Sequence, residues 1–339
     1  MKSHEYKTVI GDWLKAILPT LTVIVGLAAI LKAADRLGLL PSPPIFSEPG
    51  SIVLAHQSAA ARAGLAGEIV LLGDSTCLMD VDAPTLQASL PGNRPVINLG
   101  LIAWLSFEDY AGLFADHSAA SHSQITTVVL LVTPNKLTLS GEDAHAMIDV
   151  WQQIRHQGKG ASASQTSPQS LANWLSCEIL RKNLLSYWLV KPLEGKSDGA
   201  VFFGFPTDID NYMTTHQGSL IELGTFKPLR RREEWSMSPS PELETQSRIF
   251  REKIPRGARL IVGLTPIQES GSSMEERRQR AALLLTWSLY LKADGVLTNL
   301  PPQLPDVFFA AGGHLNPVGQ KRFTSILARE MIPFLKPGE

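Results

Sequence analysis

Runs of apolar residues punctuate the chain at intervals, and most are too short to be helices. Glu68–Leu72 (EIVLL) ends at Gly73. Val96–Leu99 (VINL), Thr127–Val132 (TVVLLV), Arg259–Leu264 (RLIVGL) and Gly295–Leu300 (GVLTNL) have the same character. Unbroken apolar runs of this length predict strands buried on both faces of a parallel sheet. Between them lie segments with helical patterning: Ser51–Ala66, a turn and short helix within Met79–Leu90, Ser106–Ala115 and Met274–Lys292. A C-terminal helix extends through Phe334. Strands alternating with helices predict a doubly wound α/β fold around a mainly parallel five-stranded sheet.

Two stretches break the alternation. Between Lys15 and Lys32 lie 16 residues without a charge, inside the apolar stretch Leu14–Leu31. A spanning helix prefers about 20 residues, and the flanking lysines can extend its reach by snorkelling. Pro19 falls in its first turns, where proline is best tolerated. A cleaved signal peptide and a buried helix are the alternatives. The positions before Ala33 and Ala34 suit cleavage poorly, and the stretch is too uniformly apolar for a one-sided face. The expectation is therefore an uncleaved anchor in residues 1–40. Lys2, Lys7 and Lys15 favour a cytoplasmic N-terminus, which puts the rest outside the inner membrane. Residues 41–50 (PSPPIFSEPG) read as a stiff linker, and 51–339 as the folded domain.

The second break is a long region, about 137–255, without a strand of the same type. Helices are expected over Asp143–His156 and Pro168–Leu189, separated by the polar loop Gly158–Ser170 and followed by the aromatic stretch Val201–Phe205. This reads as a largely helical insertion or cap. Its aromatic residues Trp174, Tyr187, Trp188, Phe202 and Phe203 suit either core packing or a sugar platform.

Charge adds exclusions rather than a function. In 339 residues, 31 basic and 32 acidic side chains leave a formal net charge of −1. No strongly basic stretch suggests a nucleic-acid partner, and Arg230-Arg231-Arg232 is balanced by Glu233 and Glu234. No His/Cys/carboxylate cluster has ligand spacing, so neither a metal nor another cofactor is expected. Cys77 and Cys177 could pair. Cys77 follows a predicted buried strand, however, and reads better as a buried free thiol.

The chemistry is carried by the two ends of the domain. In Leu71–Val81 (LLGDSTCLMDV) a buried strand ends in Gly73-Asp74-Ser75. Ligands bind beyond the carboxyl ends of strands in such sheets, so Ser75 is placed as a nucleophile; a turn with a capping serine is the plainer reading. Near the C-terminus, Gly312–Phe323 (GGHLNPVGQKRF) sets His314 before Asn316, Pro317 and Gly319. A serine hydroxyl needs a base within reach, and histidine is the natural one near neutral pH.

This pairing resembles the SGNH/GDSL hydrolase superfamily over nearly the whole domain from Glu68 onward. The resemblance implies a flavodoxin-like sheet, Ser75 as nucleophile and His314 as base. It also implies an oxyanion hole of the Ser75 N–H, Gly100 in VINLG and Asn135 in LLVTPNKL. The superfamily's third block normally reads Gly-x-Asn-Asp, whereas Asn135 follows Thr133-Pro134. Its orienting aspartate stands three residues before the histidine, where this chain has Ala311. Asp306 in the same loop is a candidate substitute carboxylate. Losing such an aspartate can lower turnover by about 10⁴, so whether the chain is an enzyme stays open at this point.

Single-pass anchoring with an SGNH domain is similar to bacterial inner-membrane proteins whose periplasmic domain O-acetylates cell-envelope or secreted polysaccharides. A multi-spanning membrane acyltransferase is a partner in such systems. The resemblance thus implies an extracytoplasmic O-acyltransferase with a polysaccharide acceptor and an acyl donor. An esterase with the same site, and an impaired scaffold subunit of an acylation or secretion complex, are the alternatives.

Overall fold

The computed structural model describes residue 19 and residues 49–102, 105–121, 124–138, 151–152, 154–155, 205–206, 208–226, 237–271, 274–310 and 313–335. The expected anchor therefore lies outside the described residues apart from Pro19. Among the described residues no helix is long and apolar enough to cross a membrane.

Five parallel strands form the sheet, in the spatial order β2-β1-β3-β4-β6. They are β1 (Ile69–Gly73), β2 (Val96–Asn98), β3 (Thr127–Val132), β4 (Arg259–Leu264) and β6 (Gly295–Val296). A separate parallel pair joins β5 (Ile267–Gln268) to β7 (Gln303–Leu304). Every residue of β1, β2 and β3 is buried, as the unbroken apolar runs require of strands covered on both faces. Ile69 aligns with Val96 on one side and Thr127 on the other. The edge strand β6 is shorter than its apolar run suggests. The chain turns immediately after it, with the Thr298 N–H donating to the Val296 carbonyl at 3.0 Å.

Helices cover both faces. On one face α1 (Pro49–Ala63), α4 (Phe107–Ala120), α6 (Leu243–Lys253) and α7 (Met274–Leu291) pack in a row. Phe107 there meets Tyr110, Phe250 and Trp287 at ring-centroid distances of 5.8, 6.5 and 5.7 Å. The other face carries α2 (Ser75–Asp80), α3 (Ala83–Ser89) and α8 (Pro317–Met331). Leu86, Phe323, Leu327 and Met331 fill its core against Ile69, Leu71, Val129 and Ile261. The strand order makes a switch point between β1 and β3, because the chain leaves β1 for β2 on one side and returns to β3 on the other. Ligands of open α/β sheets bind at such a point.

The expected insertion is partly core. Its stems meet where the Ser240 N–H donates to the Leu137 carbonyl at 2.8 Å. Beyond Ser240, α6 packs on α4 and α7 and leads into β4. Within it, α5 (Ile209–Thr215) leads into a segment that runs along β2 and α2. The Gln217 carbonyl accepts from the Asn98 N–H at 2.9 Å, and the Leu220 N–H donates to the Leu78 carbonyl at 3.0 Å. At Gly218, with φ of +86°, a Cβ would lie 2.0 Å from the Asn98 oxygen. Only glycine lets the insertion come this close. Trp174, Tyr187, Trp188, Phe202, Phe203, Cys177 and Arg230–Glu234 lie outside the described residues.

Candidate active site

The turn after β1 is fixed by sterics and then by hydrogen bonds. Gly73 has φ of +150°, and a Cβ there would meet the Leu131 carbonyl oxygen of β3 at 1.7 Å. Asp74 follows as the N-cap of α2. Its Oδ1 accepts from the Thr76 N–H at 2.9 Å and from the Thr76 hydroxyl at 2.6 Å. Its Oδ2 accepts from the Thr133 N–H, just past β3, at 2.8 Å. The Thr76 hydroxyl also lies 2.8 Å from Thr265 Oγ1, just past β4. One carboxylate thus pins the turn to the ends of two other strands. Burial pushes the Asp74 carboxyl up, while the bonds from Thr76 and Thr133 and the nearby Lys136 cation pull it down.

Ser75 is the first residue of α2 and half-buried, although both its neighbours are buried. It stands at the carboxyl end of β1, beside the switch point. Its backbone N–H belongs to the first helical turn, whose amides lack partners within the helix and can face a developing oxyanion.

Asn98, at the end of β2, locks α2 in place. Its Nδ2 donates to the Cys77 carbonyl at 2.9 Å, the Val81 carbonyl at 3.3 Å and Ser219 Oγ at 3.1 Å. Its Oδ1 accepts from the Gly100 N–H at 2.9 Å. The amide expected to serve an oxyanion thus donates to a buried side chain here. The Gln57 amide from α1 holds the same loop, donating to the carbonyls of Asn98, Gly100 and Gly218 at 3.2, 2.8 and 3.1 Å.

Asn135 sits in a 3-10 turn, Pro134–Leu137, begun by Thr133. Because Asp74 holds the Thr133 N–H, Asn135 is two residues from a point tied to the nucleophile turn. It is half-buried. Its neighbour Lys136 reaches back so that Nζ lies 5.8 and 5.9 Å from the Phe107 and Tyr110 ring centroids. Burial lowers its pKa to about 8, opposed by Asp74 and Asp109. The ammonium remains charged at neutral pH.

His314 lies in a tight hairpin. The Ala310 N–H donates to the His314 carbonyl at 2.8 Å, the Asn316 N–H to the Phe308 carbonyl at 2.9 Å, and Phe309 bridges Leu315. Asn316 then caps α8, its Oδ1 accepting from Val318 and Gly319 N–H at 3.1 and 3.0 Å, with Pro317 following. This explains the residues around the histidine. The loop is fastened to α2 where the Leu315 N–H donates to Asp80 Oδ1 at 2.8 Å. Ser75 and His314 thus neighbour opposite ends of one short helix. Among the described residues no hydrogen bond joins them, and such bonds often form only with substrate bound. His314 is 4% exposed, and burial lowers its pKa to about 4. Its imidazole is neutral near pH 7, the form a base requires.

Asp306, the expected substitute carboxylate, accepts from the Ser270 N–H at 3.0 Å. No hydrogen bond links it to His314, so it is a loop anchor at the start of its 3-10 turn. Ala311 lies outside the described residues. Asp80, Asn98, Gln57 and Thr265 went unrecognised in the sequence. Only Asp80 carried a local signal, as a carboxylate five residues after Ser75 in an otherwise apolar stretch. Cys77 is a buried free thiol, and burial pushes its pKa well up. Among the described residues no group of three or more His, Cys, Asp or Glu could hold a metal ion. No protein-family model matches the chain, and no curated protein matches it.

Proposed function

We propose that the chain is an SGNH-type serine acyltransferase, anchored in a bacterial inner membrane, that places acyl groups on an extracytoplasmic polysaccharide. The supporting observation is the placement of Ser75, half-buried at the switch point, with the His314 hairpin fastened to the far end of its helix. In this reading Ser75 Oγ attacks the donor ester while its proton passes to His314. The Ser75 N–H and the Asn135 amide steady the oxyanion. The donor's alcohol leaves with the proton from His314, and a sugar hydroxyl, deprotonated in turn by the imidazole, takes the acyl group from Ser75. Gly100 is left out of the oxyanion hole, since its N–H is engaged by Asn98. With water as acceptor the same residues give an esterase.

Ala311 and the committed Gly100 amide favour a second reading, a scaffold subunit that keeps the fold without turnover. Labelling by an activated fluorophosphonate separates the two. Adduct on Ser75, lost in His314→Ala, supports the enzyme; absence of adduct under conditions that label a control serine esterase supports the scaffold. Acyl transfer from a chromogenic ester to added oligosaccharide, exceeding hydrolysis, distinguishes transferase from esterase.

A further inference from the structure

We propose that Asp80 is the carboxylate that orients His314, supplied from the nucleophile's own helix in place of the aspartate missing at position 311. This rests on the Ser–His reading above and deepens it. Asp80 ends α2, the helix that Ser75 begins, and is fully buried. Its Oδ1 accepts from the Leu315 N–H at 2.8 Å. That nitrogen is two covalent bonds from His314 Cα, so Oδ1 lies within about 5 Å of that Cα. The imidazole Nδ1 is three bonds from the same atom. Asp80 Oδ2 is buried and makes no hydrogen bond among the described residues. A buried carboxyl oxygen in that condition calls for a donor, and His314, next to Leu315 in the chain, carries a side chain able to supply one.

Burial pushes the Asp80 carboxyl well up, with Asp74 adding repulsion and Leu315 opposing both, and it pushes His314 down. Asp74 at the start of the helix and Cys77 within it are the titratable groups whose charges couple to Asp80. Neither can give it a positive partner, whereas His314 directly precedes the residue whose N–H it binds. In the working state the Asp80 carboxylate accepts from Nδ1–H, which leaves the Nε2 lone pair for the Ser75 proton. Attack transfers that proton from Oγ to Nε2, and the resulting imidazolium faces the carboxylate until it protonates the departing alkoxide. No other reactant is needed.

The test is Asp80→Asn in the full chain. Asparagine Oδ1 keeps the Leu315 bond, so a merely structural role survives the change. The expected result is a fall of about 10³- to 10⁴-fold in ester turnover at unchanged KM, with Asp306→Asn as an unaffected control. Ala311→Asp in the Asp80→Asn background is expected to restore a tenfold or greater part of the loss. The imidazole nitrogen shifts of His314, read by 15N NMR, report the tautomer independently of turnover. They are expected to show Nδ1–H in the starting protein and a loss of that preference in Asp80→Asn. Full turnover in Asp80→Asn, or an unchanged His314 tautomer, overturns the assignment. A protein that never labels at Ser75 but whose His314 tautomer follows Asp80 defeats the hydrolase reading while leaving this pairing standing.

Discussion

Asp74 Oδ2 accepts the Thr133 N–H at 2.8 Å, so the residue before the nucleophile also sets the turn that carries Asn135. The bond spans 59 positions of the chain. The other oxygen of that carboxylate caps the helix that Ser75 begins. Asparagine at 74 would turn an NH2 group toward either Thr133 or Thr76, both of which are donors. We expect Asp74→Asn to lower stability by about 1–3 kcal/mol, the cost of leaving a buried donor unsatisfied. Urea denaturation checks the stability, and fluorophosphonate labelling should fall with it. Unchanged stability and labelling would mean that this network does not hold the turn.

Asn98 makes the second prediction, and its chemistry is directional. Nδ2 serves three carbonyls of the α2 region, those of Cys77, Leu78 and Val81, while Oδ1 serves the Gly100 N–H. Asn98→Asp keeps the shape but turns a carboxylate oxygen toward those carbonyls in a fully buried place. It should therefore destabilise more than Asn98→Ala, for which about 2–3 kcal/mol is expected. Equal or reversed midpoints in denaturant would show that the amide is not the locking group.

The sequence made part of this legible. The unbroken apolar runs located the five strands, because strands covered on both faces must be apolar throughout, and β3 and β4 match their runs residue for residue. GDS and HLNPVG placed Ser75 and His314 because their flanking glycine, asparagine and proline have local work: a strained turn, a cap and a first helical residue. Partners brought together by folding leave no such local mark. Gln57 reaches the Gly218 carbonyl 161 positions away, and Asp80 reaches Leu315 across 235. The bond from the Gly100 N–H to Asn98 leaves no such mark either, since VINLG shows the glycine but not which side chain its N–H meets. The contact of the insertion's 216–222 segment with the core was not legible, because it is made through backbone groups, which carry no residue signature.

Cys77 gives a third prediction. The thiol is fully buried, and burial raises its pKa well above the ordinary value. Thiolate is the reactive form, so in a Cys177→Ser variant the native protein should resist iodoacetamide and react only in denaturant. Rapid native alkylation would contradict the packing of α2 against β1. The prediction also bears on labelling experiments, because it leaves Ser75 as the reactive group of that helix.

The last prediction concerns acid. His314 is neutral in the folded protein with a pKa of about 4, against an ordinary value of 6.5. Between those values the unfolded chain binds a proton at this residue and the folded chain does not. Stability therefore rises with pH across that window and is lost as pH falls from about 6.5 toward 4, by up to about 3 kcal/mol in all. Asp74 and Asp80 act in the opposite sense. Their raised folded pKa values make them most favourable to folding when protonated, and that contribution declines as pH rises above the ordinary carboxylate range. The sum hides each contribution, so the useful measurement is a difference. Urea midpoints from pH 4.5 to 7.5 should fall more steeply on acidification in the unaltered protein than in His314→Gln, whose side chain cannot take a proton. Parallel curves would mean that the imidazole is charged or solvated in the fold, and the neutral base on which the Ser75 chemistry depends would be lost with it.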